Sequence, residues 1–596
     1  MTSNLELGVI GNCQVASLID SDGRHVWTCL PRPDGDPIFT ALLGNDPPGM
    51  ARGTFGIELK DHVRSEQQYL GHTPILETLL HAGDGSAVRI IDFCPRFRLF
   101  GRIFRPVMII RIVEPVTGQP VIRIRVRPLA GLGAREPKRI AGSHHVIYRD
   151  DDQSFRLTTD ASITSVVEER ALVPHHRLSF ILGSDEPVTE SVELLAQRLL
   201  DQTRDYWLDW VRGLAIPFEW QAAVIRAAIG LKLCTFEDTG AILAALTTSI
   251  PEAPGTPRTW DYRHCWLRDG YFTVQALNRL GATQTMESYL VYLVNTVAGA
   301  ASDGLQPVYG LTGDPCLHER EVPTLAGYRG MGPVRIGNDA WRQNQHDVYG
   351  AVILAASQAF YDERLARRGD VAAFREIESA GERCVELYDQ PDAGLWEYRG
   401  RARVHTFSSV MCWAGVDRLA RIAIRLGLTE RATYWRDHGQ RLHARILSEA
   451  WDPAQNSFTE SWGQQALDAS LLLLPELGFI AADDPRFAGT LTAVERSLRR
   501  GPYLLRYHMD DDFGAPENSF NICTFWYINA LAAVGRRAEA RELFENMLAR
   551  RTRLGFLSED LDMKTGELWG NFPQTYSLVG IITSAMRLSR PWEDAL

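Results

Sequence analysis

The sequence predicts an antiparallel β-sandwich followed by a double-layered ring of paired helices, on three observations. Over about the first 185 positions, apolar residues alternate or form short β-branched runs between Gly, Pro and Asp turns. From Phe218 onward they recur at helical spacing. The loops between alternate helices are long and rich in Trp, Asp, Arg, Gly and Pro, as ordered working loops on a rigid scaffold are.

Each element follows from its own stretch. "VMIIRIVEP", "VIRIRVRPL", "HVIYRD" and "SFRLTTDASITSVVEE" read as strands, and many short strands in succession pack as an antiparallel sandwich. Val188 to Leu214 then switches to helical spacing, with Thr189 as N-cap and Glu190 and Glu193 in the dipole-favoured first turn. The reciprocal capping box is absent, because Val192 stands where it needs Glu or Gln. Beyond Phe218, stripes such as "HDVYGAVILAASQAFYD" and "SSVMCWAGVDRLARIAIRLGL" imply roughly twelve helices. Paired and closed into a ring, they make an α/α barrel with a loop-lined mouth. The expected organisation is a sandwich over 1–187, a helical linker over 188–216 and a barrel over 217–596.

Composition narrows the function. At 596 residues the chain exceeds one ordinary core. Its net charge of −11 argues against nucleic-acid binding, which needs a basic face, and suits a small neutral partner. The start lacks a basic segment followed by an apolar one, and no stretch approaches about 18 uninterrupted apolar residues. The expectation is a cytoplasmic protein with no membrane partner. Nine scattered cysteines without a CxxC spacing point to reduced thiols and no zinc site. Nothing in the sequence reports oligomeric state.

Four loops could carry chemistry. "TWDYRHCWLRDG", Thr259 to Gly270, sets Trp260, Tyr262 and Trp266 among Asp261, Arg263, Arg268 and Asp269. Aromatic faces stack on a pyranose while Asp and Arg bond its hydroxyls, so a sugar site needs both kinds. The plainer reading is a capped helix start with packed tryptophans. "AGYRGMGPVRIGNDAWRQNQHDVYG" is a second polar and aromatic lead into a helix, without a nucleotide-binding GxxxxGK[ST], and its His346 reads as a packing or capping residue. In "DAGLWEYRGRARVHTF", Glu397 lies between Trp396 and Tyr398. Such neighbours raise a carboxyl pKa as a general acid requires; the alternative is an ion pair with Arg399 or Arg401. Asp510, Asp511 and Asp512 lack EF-hand spacing and read as a solvated turn beside the loop arginine Arg506.

The last loop, "LGFLSEDLDMKTGELWGNFPQTYS", crowds Glu559, Asp560, Asp562 and Glu567 among Phe556, Trp569, Phe572 and Tyr576. Glycoside hydrolysis uses two carboxyl groups on opposite faces of a sugar, and Glu397 and Glu559 are the pair that a barrel could bring together.

These motifs, in this order, resemble glycoside hydrolase family 15, the bacterial glucoamylase and trehalase-like group. "GVIGNCQVASLIDSDGRHVWTCLPRPDGDPIF" is similar to its trehalase-like N-terminal domain; "WDYRHCWLRDG", "LWEYRG" and "LSEDLDMKTGELWGNFPQTYS" resemble its catalytic signatures. The resemblance implies a β-sandwich joined to an (α/α)6 barrel. It implies that Glu397 is the general acid and Glu559 the general base, and that Arg268, Asp269 and Arg506 bind substrate. It also puts Trp260, Trp396 and Trp341 near the sugar. One departure is Asp560, where fungal glucoamylases carry Gln.

The implied reaction is inversion, with carboxyl groups about 6.5–9.5 Å apart and water between, and with neither metal nor organic cofactor. The function expected first is exo-acting release of β-glucose from small α-glucosides, with α,α-trehalase as the alternative and a non-catalytic sugar-binding protein third. An intact "LSE" glutamate argues against a phosphorylase.

Overall fold

The computed structural model describes residues 4–44, 46, 50–300 and 304–595. The N-terminal part is two antiparallel sheets. One runs, in spatial order, Gly8–Gly11, Ala16–Ile19, His25–Cys29, Thr54–Leu59 and Ile122–Arg127, with Pro37–Phe39 beside His25–Cys29. The other has eight strands, with Met108–Thr117 and Leu178–Ser184 at its centre and His62–Tyr69 and Lys138–Ala141 at its edges.

The "MIIRIV" run, apolar but for Arg111, is explained by two covered faces. Ile109 and Val113 point into the core between the sheets, whereas Ile110 and Ile112 lie with Ile91 and Ile181 under Ala196, Leu199 and Leu200 of a helix on the other side. That helix is α2 (Val192–Arg212). It begins two residues later than expected: Ser191, not Thr189, is the N-cap and accepts from the Leu194 amide, and Glu190 lies outside the helix, paired with Arg198. "SFRLTTDASITSVVEE" is also corrected. Ser154–Thr159 is a strand, but Ser162 caps a short helix α1 (Ile163–Val167), so the β-branched tail of that run is helical.

The helical part closes as an (α/α)6 barrel. Its helices are α3 (Gln221–Leu233), α4 (Leu267–Arg279), α5 (Thr283–Gly299), α6 (Asp347–Ser357), α7 (Val371–Leu387) and α8 (Thr406–Arg425). They continue with α9 (Thr429–Glu449), α10 (Pro485–Leu498), α11 (Asn521–Ala533), α12 (Arg537–Ala549) and α13 (Thr575–Leu588). Around the inside, α4 packs on α6, α6 on α8, α8 on the 3-10 turn Ala469–Leu473, that turn on α11, α11 on α13, and α13 back on α4. Helices α3, α5, α7, α9, α10 and α12 pack outside this ring. One of the six inner positions is thus a five-residue 3-10 turn rather than a long helix.

Inner helices α6 and α11 are buried all round, as a doubly covered layer requires: every residue of α6 from Asp347 to Ala355 and of α11 from Asn521 to Leu531 is buried. Their N-termini share one end of the barrel, and the loop before each reaches the pocket described below.

The two parts are joined by polar contacts that burial makes costly to break. Glu237 accepts from Arg96 of the sandwich at 2.7 and 2.8 Å and from Lys232 of α3, and Arg96 also donates to the Asn12 carbonyl at 2.8 Å. In the sandwich core, Ser17 Oγ lies 2.7 Å from His25 Nδ1, and His25 Nε2 3.3 Å from Asp92. The order imitates a hydrolytic triad, but all three are at most 1% exposed, so no substrate reaches them. Arg111 completes Asp92's partners, which makes the group a satisfied polar core.

Candidate active site

The loop before α4 sets the geometry. Asp261 accepts from Arg263 at 2.9 and 2.8 Å and from the Gly337 amide at 3.1 Å; against its burial, the charges of Arg263 and His264 hold its carboxyl well below the usual range. Arg263 in turn donates to the Gly35 carbonyl of the sandwich at 2.9 Å. The loop is therefore braced from outside the barrel.

Tyr262 and Trp266 project from this braced turn, with ring centroids 5.5 Å apart in an edge-to-face contact. Tyr262 donates to Glu559 Oε1 at 2.6 Å, and Trp266 Nε1 donates to Glu397 Oε1 at 2.6 Å. Two carboxylates separated by about 160 residues of sequence (559 − 397 = 162) are thus fixed by one aromatic pair and line one pocket of about 930 Å³, open mouth included.

Glu397 sits in the loop before α8 with φ +59°, a left-handed conformation that costs a non-glycine residue on the order of 1–3 kcal/mol. Its carbonyl accepts from Gln343 at 3.1 Å, and its Oε1 also receives Arg268 and Gln345, each at 3.3 Å. The alternative ion pairs are not formed. Arg399 pairs with Glu319, and Arg401 lies over the Tyr398 ring at 3.7 Å.

Glu559 lies in the loop before α13, which folds as a hairpin: Asp560–Leu561 pairs with Leu568–Trp569 on one side and Ser519–Phe520 on the other. The four carboxylates of that stretch therefore separate by role. Asp562 caps the hairpin turn by accepting from the Lys564 and Thr565 amides, and Glu567 pairs with Arg329. Asp560 is buried outside the pocket lining, and burial with the charge of Glu559 beside it pushes its carboxyl well up. Only Glu559 reaches the pocket. A Cβ on Gly570 (φ +73°) would lie 2.6 Å from that of Glu559, so glycine is required there. Burial and the charge of Glu252 push Glu559 up to about 8, against the Tyr262 donor and Arg506.

Arg268 and Asp269 occupy the first turn of α4. Arg268 donates to Gln345 at 2.7 Å and to Asp347 at 3.0 Å, which aims it across the pocket at Glu397. Burial pushes Asp269 up to about 7, with Arg268 opposing and Glu397 adding. Trp260, Trp396 and Arg506 also line the pocket. Trp341 does not. It packs behind Trp266 and Tyr262 with Ala340 and Leu317, beside a second cavity, so the expectation that it flanks the sugar is corrected. The acidic turn is solvated at Asp510 and Asp512, as expected, and is corrected only at Asp511, whose side chain is 6% exposed and pairs with Arg258 at 2.6 Å; Asp512 accepts from the Arg399 amide at 2.6 Å, and both Asp511 and Asp512 border the pocket. His346 is buried against Asp392 through its amide, as a packing residue.

Sequence reasoning missed Glu252. It accepts from Trp260 Nε1 at 3.0 Å and from Arg506 at 2.6 Å and stands as a third carboxylate beside Glu559. Its surroundings, "TTSIPEAPG", carry no aromatic signal. Among the described residues no group of acidic, His or Cys side chains is arranged to hold a metal.

The description "Glycosyl hydrolases family 15" matches residues 220–586, and "Trehalase-like, N-terminal" matches 4–128. The chain belongs to glycosyl hydrolases family 15. It is a glycoside hydrolase. Among its relatives is a protein named trehalase from Thermoplasma volcanium, 31% identical over 99% of this chain and 93% of that one. A trehalase from Mycolicibacterium smegmatis is 30% identical over 99% and 92%. A bacterial glucoamylase complexed with acarbose superposes with a TM-score of 0.70 at 13% identity, over 98% of this chain and 94% of that one, which shows the shared fold. No described helix is long and apolar enough to cross a membrane.

Proposed function

We propose that this family 15 enzyme is an inverting α,α-trehalase, with Glu397 as general acid and Glu559 as general base. The observation that carries the substrate is full-length similarity: relatives about 30% identical across both the sandwich and the barrel are named trehalases. This reverses the order in which the sequence ranked its two readings. The glucoamylase-type reading has likeness of fold behind it at 13% identity, and fold does not fix a substrate.

The roles rest on surroundings. Glu397 lines the pocket with its Oε1 engaged by Trp266, Arg268 and Gln345, which leaves Oε2 to protonate the glycosidic oxygen. Glu559, oriented by Tyr262, takes the proton from a water attacking C1 of the glucose on the opposite face. Arg268 and Asp269 bind the hydroxyls of that glucose; Trp260, Trp396 and Arg506 border the remainder of the pocket and contact the departing sugar.

Proton NMR of the anomeric signals during turnover tests this. Trehalose cleaved by inversion yields one β-glucose and one α-glucose initially, and maltose and isomaltose should be poor substrates. Preferred turnover of maltose, with β-glucose newly formed from its non-reducing unit, would restore the glucoamylase reading, and release of α-glucose alone from trehalose would exclude inversion.

A further inference from the structure

The loop that presents Glu397 is held from below by a residue outside the pocket. Trp396, next to Glu397 in the chain, points its indole N–H away from the pocket wall and donates to Asp468 Oδ2 at 2.6 Å. Asp468 is 1% exposed, does not line the pocket and accepts from Ser470 Oγ on its other oxygen at 2.7 Å. It directly precedes the 3-10 turn Ala469–Leu473, where the inner ring has its one short member. The Ala469 amide donates to the Arg506 carbonyl at 2.9 Å, so the same turn also fixes the backbone of a second pocket residue.

The rest of the Glu397 loop is held as tightly: the Trp396 ring packs against Tyr507, Phe520 and Trp526 at centroid distances of 5.9, 6.1 and 6.2 Å, and Asp468 supplies the acceptor for its N–H. Gly394 donates its amide to Asp392 at 3.1 Å, and Glu397 donates its own amide to the Gly394 carbonyl at 3.1 Å. Tyr398 lies on the His405 ring with centroids 5.7 Å apart. Glu397 itself keeps the left-handed φ of +59°, a conformation that persists only where the surroundings impose it. A carboxyl group sealed in a barrel core is costly, and here both of its oxygens are committed to donors.

We propose that Asp468 is a positioning residue for the general acid: by fixing the Trp396 indole it holds Glu397 in its left-handed conformation at the pocket wall. The proposal rests on the reading of Glu397 as the acid. Burial and the nearby Glu460 push the Asp468 carboxyl up to about 7, against its Trp396 and Ser470 donors. The acceptor role does not depend on charge, since a neutral side chain with an oxygen in the same place accepts the indole N–H equally.

That independence gives the test. In Asp468→Asn, the amide oxygen accepts from Trp396 and the amide N–H₂ donates to Ser470 Oγ; in Asp468→Ala, the indole loses its acceptor. On trehalose, Asp468→Ala should lower kcat by about 10–100-fold, the scale of a misplaced catalytic group, with KM within about threefold. Asp468→Asn should stay within about fivefold of wild type. Trp396→Phe, which removes the same hydrogen bond from the other side, should lower kcat, and adding Asp468→Ala to it should cost nothing further. Circular dichroism and thermal melting report folding of each variant. If Asp468→Ala does not fold, Trp396→Phe and Asp468→Asn decide: wild-type kcat in the first, or loss in the second as severe as in the first, overturns the proposal. So does wild-type kcat in folded Asp468→Ala, or losses that add in the double variant. Glu397→Gln separates the two levels. Activity retained there removes the acid reading itself, whereas Glu397→Gln inactive beside an unaffected Asp468→Ala removes only the role of Asp468.

Discussion

Tyr262 and Trp266, four residues apart and edge to face at 5.5 Å, each spend their polar hydrogen on a different glutamate, Tyr262 on Glu559 and Trp266 on Glu397. A single braced turn therefore sets the spacing of the acid and base. The Tyr262 donor also opposes the upward push of burial on Glu559. Tyr262→Phe should lower kcat by about 10–100-fold and move the acidic limb of the pH profile to higher pH, because the base loses a bond that favours its charged form. Stopped assays on trehalose across pH 4–9 check both.

Replacing either glutamate is the direct check on the assignment. Glu397→Gln and Glu559→Gln should each cost about 10²–10⁴-fold in kcat with the fold unchanged by circular dichroism.

Glu252 raises Glu559 through its charge. Trp260 and Arg506 donate to different oxygens of Glu252, so Glu252→Gln keeps an acceptor for one of them and removes that charge, and Glu559 should ionise at lower pH. The acidic limb of kcat/KM should move down by on the order of one pH unit, opposite in sign to Tyr262→Phe. A limb that stays put would detach Glu252 from the titration.

Asp269 should act on binding and turnover together, because a hydroxyl held by a charged acceptor is worth about 1.5–3 kcal/mol. Asp269→Asn is expected to lower kcat/KM for trehalose by about 10–100-fold. Arg268→Lys should be no milder, since Lys cannot span Gln345, Asp347 and Glu397 at once.

At the junction of sandwich and barrel, Lys232 and Arg96 hold Glu237 down at about 2, against burial. Its folded value lies below the ordinary unfolded value of about 4.3, so its stabilisation is complete above that pH and is lost as pH falls towards about 2. Glu237→Gln should destabilise by about 3–5 kcal/mol near neutrality, because it strands two buried cations, and should flatten the acid branch of stability against pH. Urea unfolding at several pH values measures this.

Periodicity made the architecture legible because inner helices and covered strands must be apolar where they are packed. The ring's short member was not legible: "ASLLLL" carries enough apolar residues for a helix turn, and only packing shows that it stops at Leu473. Glu397 and Glu559 stood out through their aromatic neighbours. Asp511 was misread because a run of three aspartates looks solvated until Arg258 is brought some 250 residues along the chain to meet it (511 − 258 = 253). Trp341 was misplaced because sequence gives a tryptophan's loop but not the side of the loop it faces. Glu252 escaped notice because two of its partners, Arg506 and Glu559, are more than 250 residues away along the chain.

Arg263 reaches from the turn that carries Tyr262 and Trp266 into the sandwich, to the carbonyl of Gly35. The N-terminal sandwich is thus a buttress under the catalytic turn rather than an appended module. Evolution can lengthen or exchange the other mouth loops to suit a new leaving group, but this turn answers to two domains at once, and a change in either must be matched in the other.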